Sequence, residues 1–408
     1  MATIPIPLSH IAHQGGYPLA DSSILFQPLK VGNISVRNRI AMAPCTRQRA
    51  HLDGTPTELM IEYYRQRAGA GLIISEGISP AAGGNGYLFA PGLYTDSHQK
   101  GWHRIAEAVH AAGGAIFGQL MHVGRLSDPL VLPHGTNPVS ASAVRPDPLA
   151  RHYTVNCPRP KRVYGTPREL SIEEIGTVVG EFADCARRAR DAGLDGVELH
   201  AASGYLPMQF LSTNSNRRTD RYGGSAENRA RFVLEVVEAM QAATSPGFVA
   251  VKVSPGWTFH DVFDDDPVET YSVLARALSE RQIAYLEVGN YGQPWDVHAV
   301  LRPLFAGPMI GVAGFTRSKA IAAIAAHRVD MVAFGQAYIA NPDLAERYRD
   351  DLPINQPDSS TFYTQGAEGY TDYPTYEAAE ADQLLPVDSA FATGSSRSSQ
   401  AGKLQPVN

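Results

Sequence analysis

Short apolar runs alternate with amphipathic stretches along most of the chain. Eight of these runs have the length and the β-branched, apolar composition of buried strands, and stretches with apolar residues at helical spacing follow most of them. We predict strands at Ile40–Ala43, Leu72–Glu76, Ala115–Leu120, Val197–Leu199, Val249–Val253, Leu286–Val288, Met309–Gly311 and Met331–Phe334. Parallel strands that alternate with helices form α/β folds, and eight of them close into a barrel.

The predicted helices have recognisable ends. A helix over Ile172–Ala192 begins after Ser171, and Glu174 three residues later completes a capping box. A second helix is predicted over Gln99–Ala112. Glycines follow both helices, in AAGGA and DAGLDG, and glycine is a frequent helix terminator.

One connection between predicted strands is unusually long. It leaves the third strand at Leu120 and contains residues 127–167, which are rich in proline and polar residues. Because barrel active sites are built at the C-terminal ends of strands, this insertion is either a lid or cap over the site or a plain surface excursion. Residues 1–23 and 385–408 have the composition of flexible tails, which leaves a single barrel domain over residues 24–384.

Composition and charge exclude several classes of protein. Lys and Arg number 35 against 41 Asp and Glu, and no polybasic cluster occurs, so we do not expect nucleic-acid binding. No apolar stretch approaches the roughly 18 residues of a membrane-spanning helix. Cys45, Cys157 and Cys185 are too few and too scattered for a disulfide framework or a metal site. We therefore expect a cytoplasmic protein without a bound metal.

Polar residues and glycines concentrate directly after the predicted strands. The turns after the last two strands contain glycines, which suit a phosphate group, although such turns are at least as often structural. His200 and Tyr205 follow the fourth strand and can polarise a carbonyl and deliver a proton, although a single histidine is more often structural. Gln119 and Thr46 can hydrogen-bond the amide edge of a heterocycle such as a flavin.

Longer motifs make the sequence resemble a known family. From about Leu25 to Glu380 it is similar to the old yellow enzyme family of flavin-dependent ene-reductases, which includes plant 12-oxophytodienoate reductases. The matching blocks are LFQPLKVGNISVRNRIAMAPCTRQRA, EYYRQRAGAGLIISEG, HVGR, ELHAASGYLPMQFLSTNSNRRTDRYGGSAENRARFVLE, ANPDL and FYTQGAEGYTDYPTY. The resemblance implies a monomeric or homodimeric (β/α)8 barrel with FMN at its C-terminal rim, NADH or NADPH as reductant, and an α,β-unsaturated carbonyl compound, an enone or enal, as substrate.

The resemblance also implies roles for individual residues. His200 would bind the carbonyl oxygen of the substrate, and Tyr205 would protonate its α-carbon after hydride transfer from flavin N5 to the β-carbon. Ser203, Met121 and Tyr363 would complete the substrate pocket. The residues implied to bind the cofactor are Pro44, Cys45, Thr46, Gly77, Gln119, His200, Lys252, Gly314, Phe315, Gly335 and Gln336.

Four positions depart from the residues usual in the family. Ser203 replaces an Asn or His, and the loss of one such donor costs roughly 2.7–4 kcal/mol. Lys252 replaces an Arg near the flavin and keeps the charge without the planar fork. Gln336 replaces an Arg at the phosphate, which we expect to weaken FMN binding by about 10- to 150-fold. Met121 replaces a Trp and should admit bulkier ligands.

These departures leave more than one function open. The main hypothesis is FMN-dependent reduction of a conjugated enone or enal by NADH or NADPH. The alternative is a non-reductive isomerisation or cyclisation in a biosynthetic pathway, on the same scaffold and with weakened or altered use of FMN. A third possibility is a binding protein that merely retains the barrel.

Overall fold

Eight parallel strands close into a barrel in the computed structural model, which describes residues 21–147 and 163–384. Together with four strands outside the barrel, the strands of the described residues are β1 (Leu29–Val31), β2 (Ile34–Val36), β3 (Ile40–Met42), β4 (Leu72–Ile74), β5 (Ile116–Leu120), β6 (Val139–Ser140), β7 (Arg168–Glu169), β8 (Gly196–Ala201), β9 (Val249–Val253), β10 (Leu286–Gly289), β11 (Met309–Val312) and β12 (Met331–Phe334). Around the barrel the order is β3, β4, β5, β8, β9, β10, β11 and β12, and β12 pairs with β3 to close the ring. The barrel and its eight predicted strands are confirmed.

Helices surround the barrel. They are α1 (Glu58–Gln66), α2 (Asp96–Ala111), α3 (Ile172–Asp191), α4 (Leu206–Leu211), α5 (Ala226–Ala243), α6 (Pro267–Glu280), α7 (Val297–Leu301), α8 (Arg317–Ala325), α9 (Gln336–Ala340), α10 (Leu344–Arg349) and α11 (Tyr376–Leu384). Short 3-10 helices lie at Ser22–Phe26, Ala82–Gly84, Pro133–Gly135, Pro246–Phe248, Arg302–Leu304 and Ser359–Thr361. The predicted capping box is present at α3, where Ser171 Oγ accepts from the Glu174 N–H at 3.1 Å. None of the helices in the described ranges has the length and apolar character needed to cross a membrane.

Alternate residues of each barrel strand face opposite sides. In β8, Val197, Leu199 and Ala201 belong to the large apolar cluster that the barrel forms with its helices. Glu198 and His200 stand between them and therefore face the barrel interior. This alternation decides which side chains of a strand pack against helices and which can form a site.

The lower half of the barrel interior, at the N-terminal ends of the strands, is apolar. Its cluster includes Ala41, Leu72, Ile74, Phe117, Ala250, Tyr285, Ile310 and Met331. The antiparallel hairpin β1–β2 adds Val31 and Val36 to this cluster and covers this end of the barrel. The hairpin turn fits closely, since a Cβ on Gly32 would lie 2.1 Å from the carbonyl oxygen of Gly247. The sequence analysis did not predict this hairpin.

The insertion after β5 is partly regular. The short strand β6 within it pairs in parallel with β7, which directly follows it. Tyr164, near its end, is buried in one apolar cluster with Met121 and Tyr205. This contact with the barrel rim supports the interpretation as a lid or cap. Residues 148–162, with Cys157, lie outside the described residues.

The chain ends were predicted to be flexible tails. Residues 1–20 and 385–408 lie outside the described residues. Residues 21–23 do not continue a tail, because Asp21 caps the 3-10 helix Ser22–Phe26 through a hydrogen bond from the Ser23 N–H. The domain boundaries at residues 24 and 384 stay predictions.

Candidate active site

Two adjoining cavities lie above the apolar half, at the C-terminal ends of the barrel strands. The small cavity, of about 360 Å³, is lined by residues that include the predicted Thr46, Gln119, Met121, His200, Ser203, Tyr205 and Tyr363. The large cavity, of about 890 Å³, is lined by residues that include the predicted Lys252, Gly314, Phe315 and Gly335. Pro44, Cys45 and Gln336 line both. The structure thus brings nearly all of the predicted site residues to one rim.

Gly77 lies behind Met121 and is not among the residues that line the two cavities, so its role at the cofactor stays a prediction. It is buried after β4, and a Cβ at this position would lie 2.6 Å from the Met121 Sδ. Gly77 therefore makes room for the methionine, whose side chain lines the small cavity. Met121 stands where the family usually has a Trp, and this difference in side chain affects the small cavity.

His200 and Tyr205 meet at the floor of the small cavity. His200 lies near the end of β8, Tyr205 precedes α4, and their ring centroids are 4.9 Å apart in an edge-on arrangement. Burial lowers the pKa of His200 well below its ordinary value, and the nearby Lys252 and His260 lower it further. His200 is therefore a neutral imidazole near pH 7. Its Nδ1 has no hydrogen-bond partner among the residues that the structure describes.

A second tyrosine is hydrogen-bonded to Tyr205. The hydroxyl oxygens of Tyr87 and Tyr205 are 2.8 Å apart, and both residues line the small cavity. Burial raises the pKa of Tyr205 well above its ordinary value, and the phenols of Tyr87, Tyr164 and Tyr363 raise it further. Burial raises the pKa of Tyr87 to about 12. Both phenols therefore keep their protons near pH 7. The sequence analysis missed Tyr87, because it lies in a connection without a recognisable motif.

Ser203 shares its side of the small cavity with His260. The backbone of Ser203 is left-handed, with φ of 58°, and its N–H donates to the Ser254 Oγ at 3.0 Å. Its carbonyl oxygen accepts a hydrogen bond from His260 Nδ1 at 2.8 Å. His260 also has a positive φ, 63°, and its carbonyl accepts from the buried Arg125. An imidazole from the loop after β9, which the sequence analysis missed, thus lines the cavity beside the short serine.

Charged side chains occupy the upper half of the barrel interior, beneath both cavities. Lys252 Nζ lies 2.9 Å from Glu287 Oε1, and Gln119 Nε2 donates to Glu198 Oε1 at 2.8 Å. Burial works to lower the pKa of Lys252, but the adjacent Glu287 carboxylate outweighs this effect, and the pKa is raised. Lys252 is therefore a cation. Neither glutamate was predicted from the sequence. For Glu287, a charged residue inside the apolar strand LEVG was a usable signal.

The large cavity fits a ligand with an anionic end. Gly314 has φ of 71°, a conformation that favours glycine. Gly335 lies close enough to Cys45 that an added Cβ would be 3.3 Å from the Cys45 Sγ. Arg317, which the sequence analysis missed, lines the same cavity and pairs with Asp351 at 3.0 Å. Asp351 lines this cavity as well, so the glycine backbones and the paired Arg317 guanidinium are the groups that would hold the phosphate of FMN.

Comparison with known proteins agrees with this geometry. The sequence pattern of the NADH:flavin oxidoreductase / NADH oxidase family matches residues 24–355. The chain is 37% identical over 364 residues to 12-oxophytodienoate reductase 2 from Arabidopsis thaliana, covering 87% of this chain and 96% of that protein. It is 38% identical over 356 residues to a probable flavin mononucleotide-dependent alkene reductase from Leishmania infantum, covering 86% and 97%.

Solved structures give the same result. Morphinone reductase in complex with tetrahydroNAD matches with a TM-score of 0.82 and 42% identity over 86% of this chain and 97% of that one. The old yellow enzyme homologue from Zymomonas mobilis matches with a TM-score of 0.82 and 38% identity over 86% and 99%. The chain belongs to the NADH:flavin oxidoreductase / NADH oxidase family, the old yellow enzyme family, and is an FMN-dependent oxidoreductase.

Proposed function

We propose that the protein reduces the carbon–carbon double bond of α,β-unsaturated carbonyl compounds, with His200 and Tyr205 as its catalytic residues. The observation that carries the proposal is the pairing of these two groups in the small cavity, a neutral imidazole edge-on to a protonated phenol. When bound and reduced by NADH or NADPH, FMN supplies the hydride that the β-carbon of the substrate receives.

His200 acts on the carbonyl oxygen of the substrate. A ring N–H donated to this oxygen stabilises the negative charge that develops there, and such a donor contributes roughly 2.7–4 kcal/mol. Burial and the charge of Lys252 keep the imidazole neutral. A neutral ring donates without itself being a titrating acid, which leaves proton delivery to the tyrosine.

Tyr205 delivers the proton to the α-carbon. Its partner Tyr87 lies within hydrogen-bond distance, so its O–H donates to the Tyr205 oxygen when the proton leaves. The raised pKa of Tyr205 makes its deprotonated form a strong base that takes up a new proton readily. The two phenols therefore form the proton-delivering side of the small cavity.

The cofactor residues follow from the lining of the two cavities. We assign Pro44, Cys45, Thr46, Gln119, His200 and Lys252 to the flavin ring and Gly314, Phe315, Gly335 and Gln336 to the phosphate. Ser203, Met121 and Tyr363 complete the substrate pocket. Gly77 acts indirectly, by accommodating Met121.

The test begins with the purified protein. We expect flavin absorbance as isolated or after titration with FMN, and reoxidation of the reduced flavin on addition of an enone such as 2-cyclohexenone. One saturated product should form for each NADH or NADPH consumed. A colourless protein that does not bind added FMN contradicts the proposal.

Two positions favour a second candidate function. Ser203 offers a shorter donor than the family's Asn or His, and Gln336 offers no charge to the phosphate. A non-reductive isomerase or cyclase would depend less on the donor at position 203 and on tight binding of the FMN phosphate. This candidate predicts product formation without net consumption of NADH or NADPH, and strict one-to-one use of the nicotinamide rejects it.

A further inference from the structure

Four polar side chains meet on adjacent strands in the upper half of the barrel interior. Gln119 pairs in register with Glu198, and Glu287 pairs in register with Lys252. The Lys252 ammonium contacts the Glu287 carboxylate at 2.9 Å, and the Gln119 amide donates to Glu198 at 2.8 Å. Both carboxyl groups are completely buried. One lysine and one amide therefore face two buried carboxyl groups.

The charges of this cluster do not balance if both carboxyl groups are ionised. One lysine compensates one carboxylate, and a second buried carboxylate without a cation is so unfavourable that such a group takes up a proton instead. Glu287 contacts the cation directly, whereas Glu198 accepts only an amide N–H. We propose that Glu198 and Glu287 together carry a single negative charge, with the proton on Glu198.

The surroundings of the pair support this assignment. Within residues 21–147 and 163–384, Glu198 Oε2 and Glu287 Oε2 form no hydrogen bond of good geometry, and the two carboxyl groups and the Tyr285 hydroxyl lie close to one another. Burial raises the pKa of Glu198 well above its ordinary value, and the neighbouring Glu287 raises it further. The nearby Tyr285 is buried with a raised pKa and is a neutral phenol. His200, the register neighbour of Lys252, is neutral as well.

The two carboxyl groups act on the cofactor site through the side chains that they hold. Gln119 lines the small cavity and Lys252 the large one. Glu198 and Glu287 are therefore positioning residues: the first orients the amide, and the second holds the ammonium and offsets its charge. This step rests on the proposed function, because it concerns bound FMN. Reduced FMN would face a cluster that is neutral overall and not an unpaired lysine.

Infrared difference spectroscopy tests the proton without any flavin signal. The wild-type minus Glu198→Gln spectrum of the full-length protein should contain the C=O stretch of a protonated carboxylic acid, shifted in D₂O. Glu76→Gln is the matched control, because Glu76 is buried but accepts hydrogen bonds from the Arg47 and Gln48 N–H groups and from the Tyr64 hydroxyl. Its difference spectrum should show a carboxylate instead. Absence of the acid band in the Glu198→Gln comparison overturns the proposal.

The midpoint potential of bound FMN tests the effect on the cofactor. Glu198→Gln replaces a neutral acid with a neutral amide, so it should shift the potential by much less than a variant that removes the negative charge. The double variant Glu198→Gln/Glu287→Gln removes the negative charge and should favour reduced over oxidised FMN by about tenfold, which raises the potential of this two-electron couple by about 30 mV. A shift in the single variant as large as in the double one places the negative charge on Glu198 and overturns the proposal. If the midpoint potential of the double variant equals that of the wild type, the role of Glu287 at the cofactor is overturned.

Two further outcomes are decisive. If the double variant does not fold, Glu287→Gln replaces it, and the acid band should then disappear because Glu198 ionises beside Lys252. Persistence of the band in that variant shows that the proton on Glu198 does not depend on the charge of Glu287, which overturns charge balance within the cluster as its cause. If the protein binds no FMN, the proposed function fails, whereas the infrared comparison still decides where the proton lies.

Discussion

The lower and upper halves of the barrel interior come from the same strands but have opposite chemistry. In β5, Phe117 belongs to the apolar cluster, and Gln119 two residues later lines the small cavity. In β9, Ala250 belongs to the apolar cluster, and Lys252 two residues later contacts Glu287. A strand of five residues thus serves stability at its first interior position and chemistry at its second.

This division separates two kinds of mutational effect. Interior side chains of the lower half contribute through burial of apolar surface, so their loss should reduce stability. Those of the upper half hold charges and hydrogen bonds, so their replacement by neutral isosteres should change binding and rate more than stability. We therefore expect variants of the lower half to lose stability and variants of the upper half to remain folded but lose activity.

The largest expected effect comes from the lower half. Phe117 is completely buried, with its ring centroid 5.5 Å from that of Tyr285, and Phe117→Ala should lower the free energy of unfolding by about 3–5 kcal/mol. Chemical denaturation measures this change. Leu52→Ala, at a side chain 69% exposed, is the control and should change stability by less than about 0.5 kcal/mol. Equal stability of the two variants contradicts the division.

The next effect concerns the upper half and appears in the rate. Tyr205→Phe removes the proton donor, and enone turnover should fall by about a hundredfold or more while FMN binding and melting temperature stay near wild type. Stopped-flow reoxidation of the reduced flavin measures this change. Tyr87→Phe keeps the donor and loses only its partner, so its rate should fall by less. A Tyr205→Phe enzyme of normal rate removes this residue from the mechanism.

A smaller effect depends on pH. His122, after β5, is buried, and its Nδ1 accepts a hydrogen bond from the Gly124 N–H at 3.1 Å, so the ring is neutral. Burial lowers its pKa from 6.5 to about 4. Between these values the unfolded chain binds a proton that the folded chain does not, so stability falls as pH falls, by up to about 1.4 kcal/mol per pH unit. His122→Gln should flatten denaturation midpoints measured over this range, and an unchanged slope excludes His122 as their source.

The smallest effect is a gain. Ser203 has a left-handed backbone, which asparagine tolerates better than most residues, and Ser203→Asn adds an amide donor to the small cavity. We expect kcat/KM for an enone to rise by about three- to tenfold. Ser203→Val is the control, because a β-branched residue is strained at this φ and should only lower the melting temperature. No gain from Ser203→Asn indicates that His260 already fills this position.

The sequence predicted the barrel strands and most of the rim because both depend on local pattern. Apolar runs mark the strands. His200 lies near the end of its strand, and Tyr205 and Gln336 follow within a few residues of a strand end. The hairpin β1–β2 escaped prediction, because its strands LKV and ISV each have a polar middle residue and form no continuous apolar run.

The missing site residues depend on distant pairing. His260 becomes meaningful only through its hydrogen bond to Ser203, 57 positions earlier, and Arg317 only through the cavity that it shares with Gln336. Glu287 lies inside a strand, and its carboxyl group becomes meaningful only through Lys252, its register partner on the neighbouring strand.

The closure of the barrel has a consequence for its folding. Val332 of β12 pairs with Ile40 of β3, so the ring is completed only when the last strand reaches the first. Contacts of such long sequence separation form slowly, and until they form the interior remains open to water. Lys252 and Glu287 are buried inside the ring, so we expect them to lose their water only when it closes. A folding intermediate that lacks β12 would keep these charges hydrated, and its transition to the closed barrel should be the slow phase of refolding.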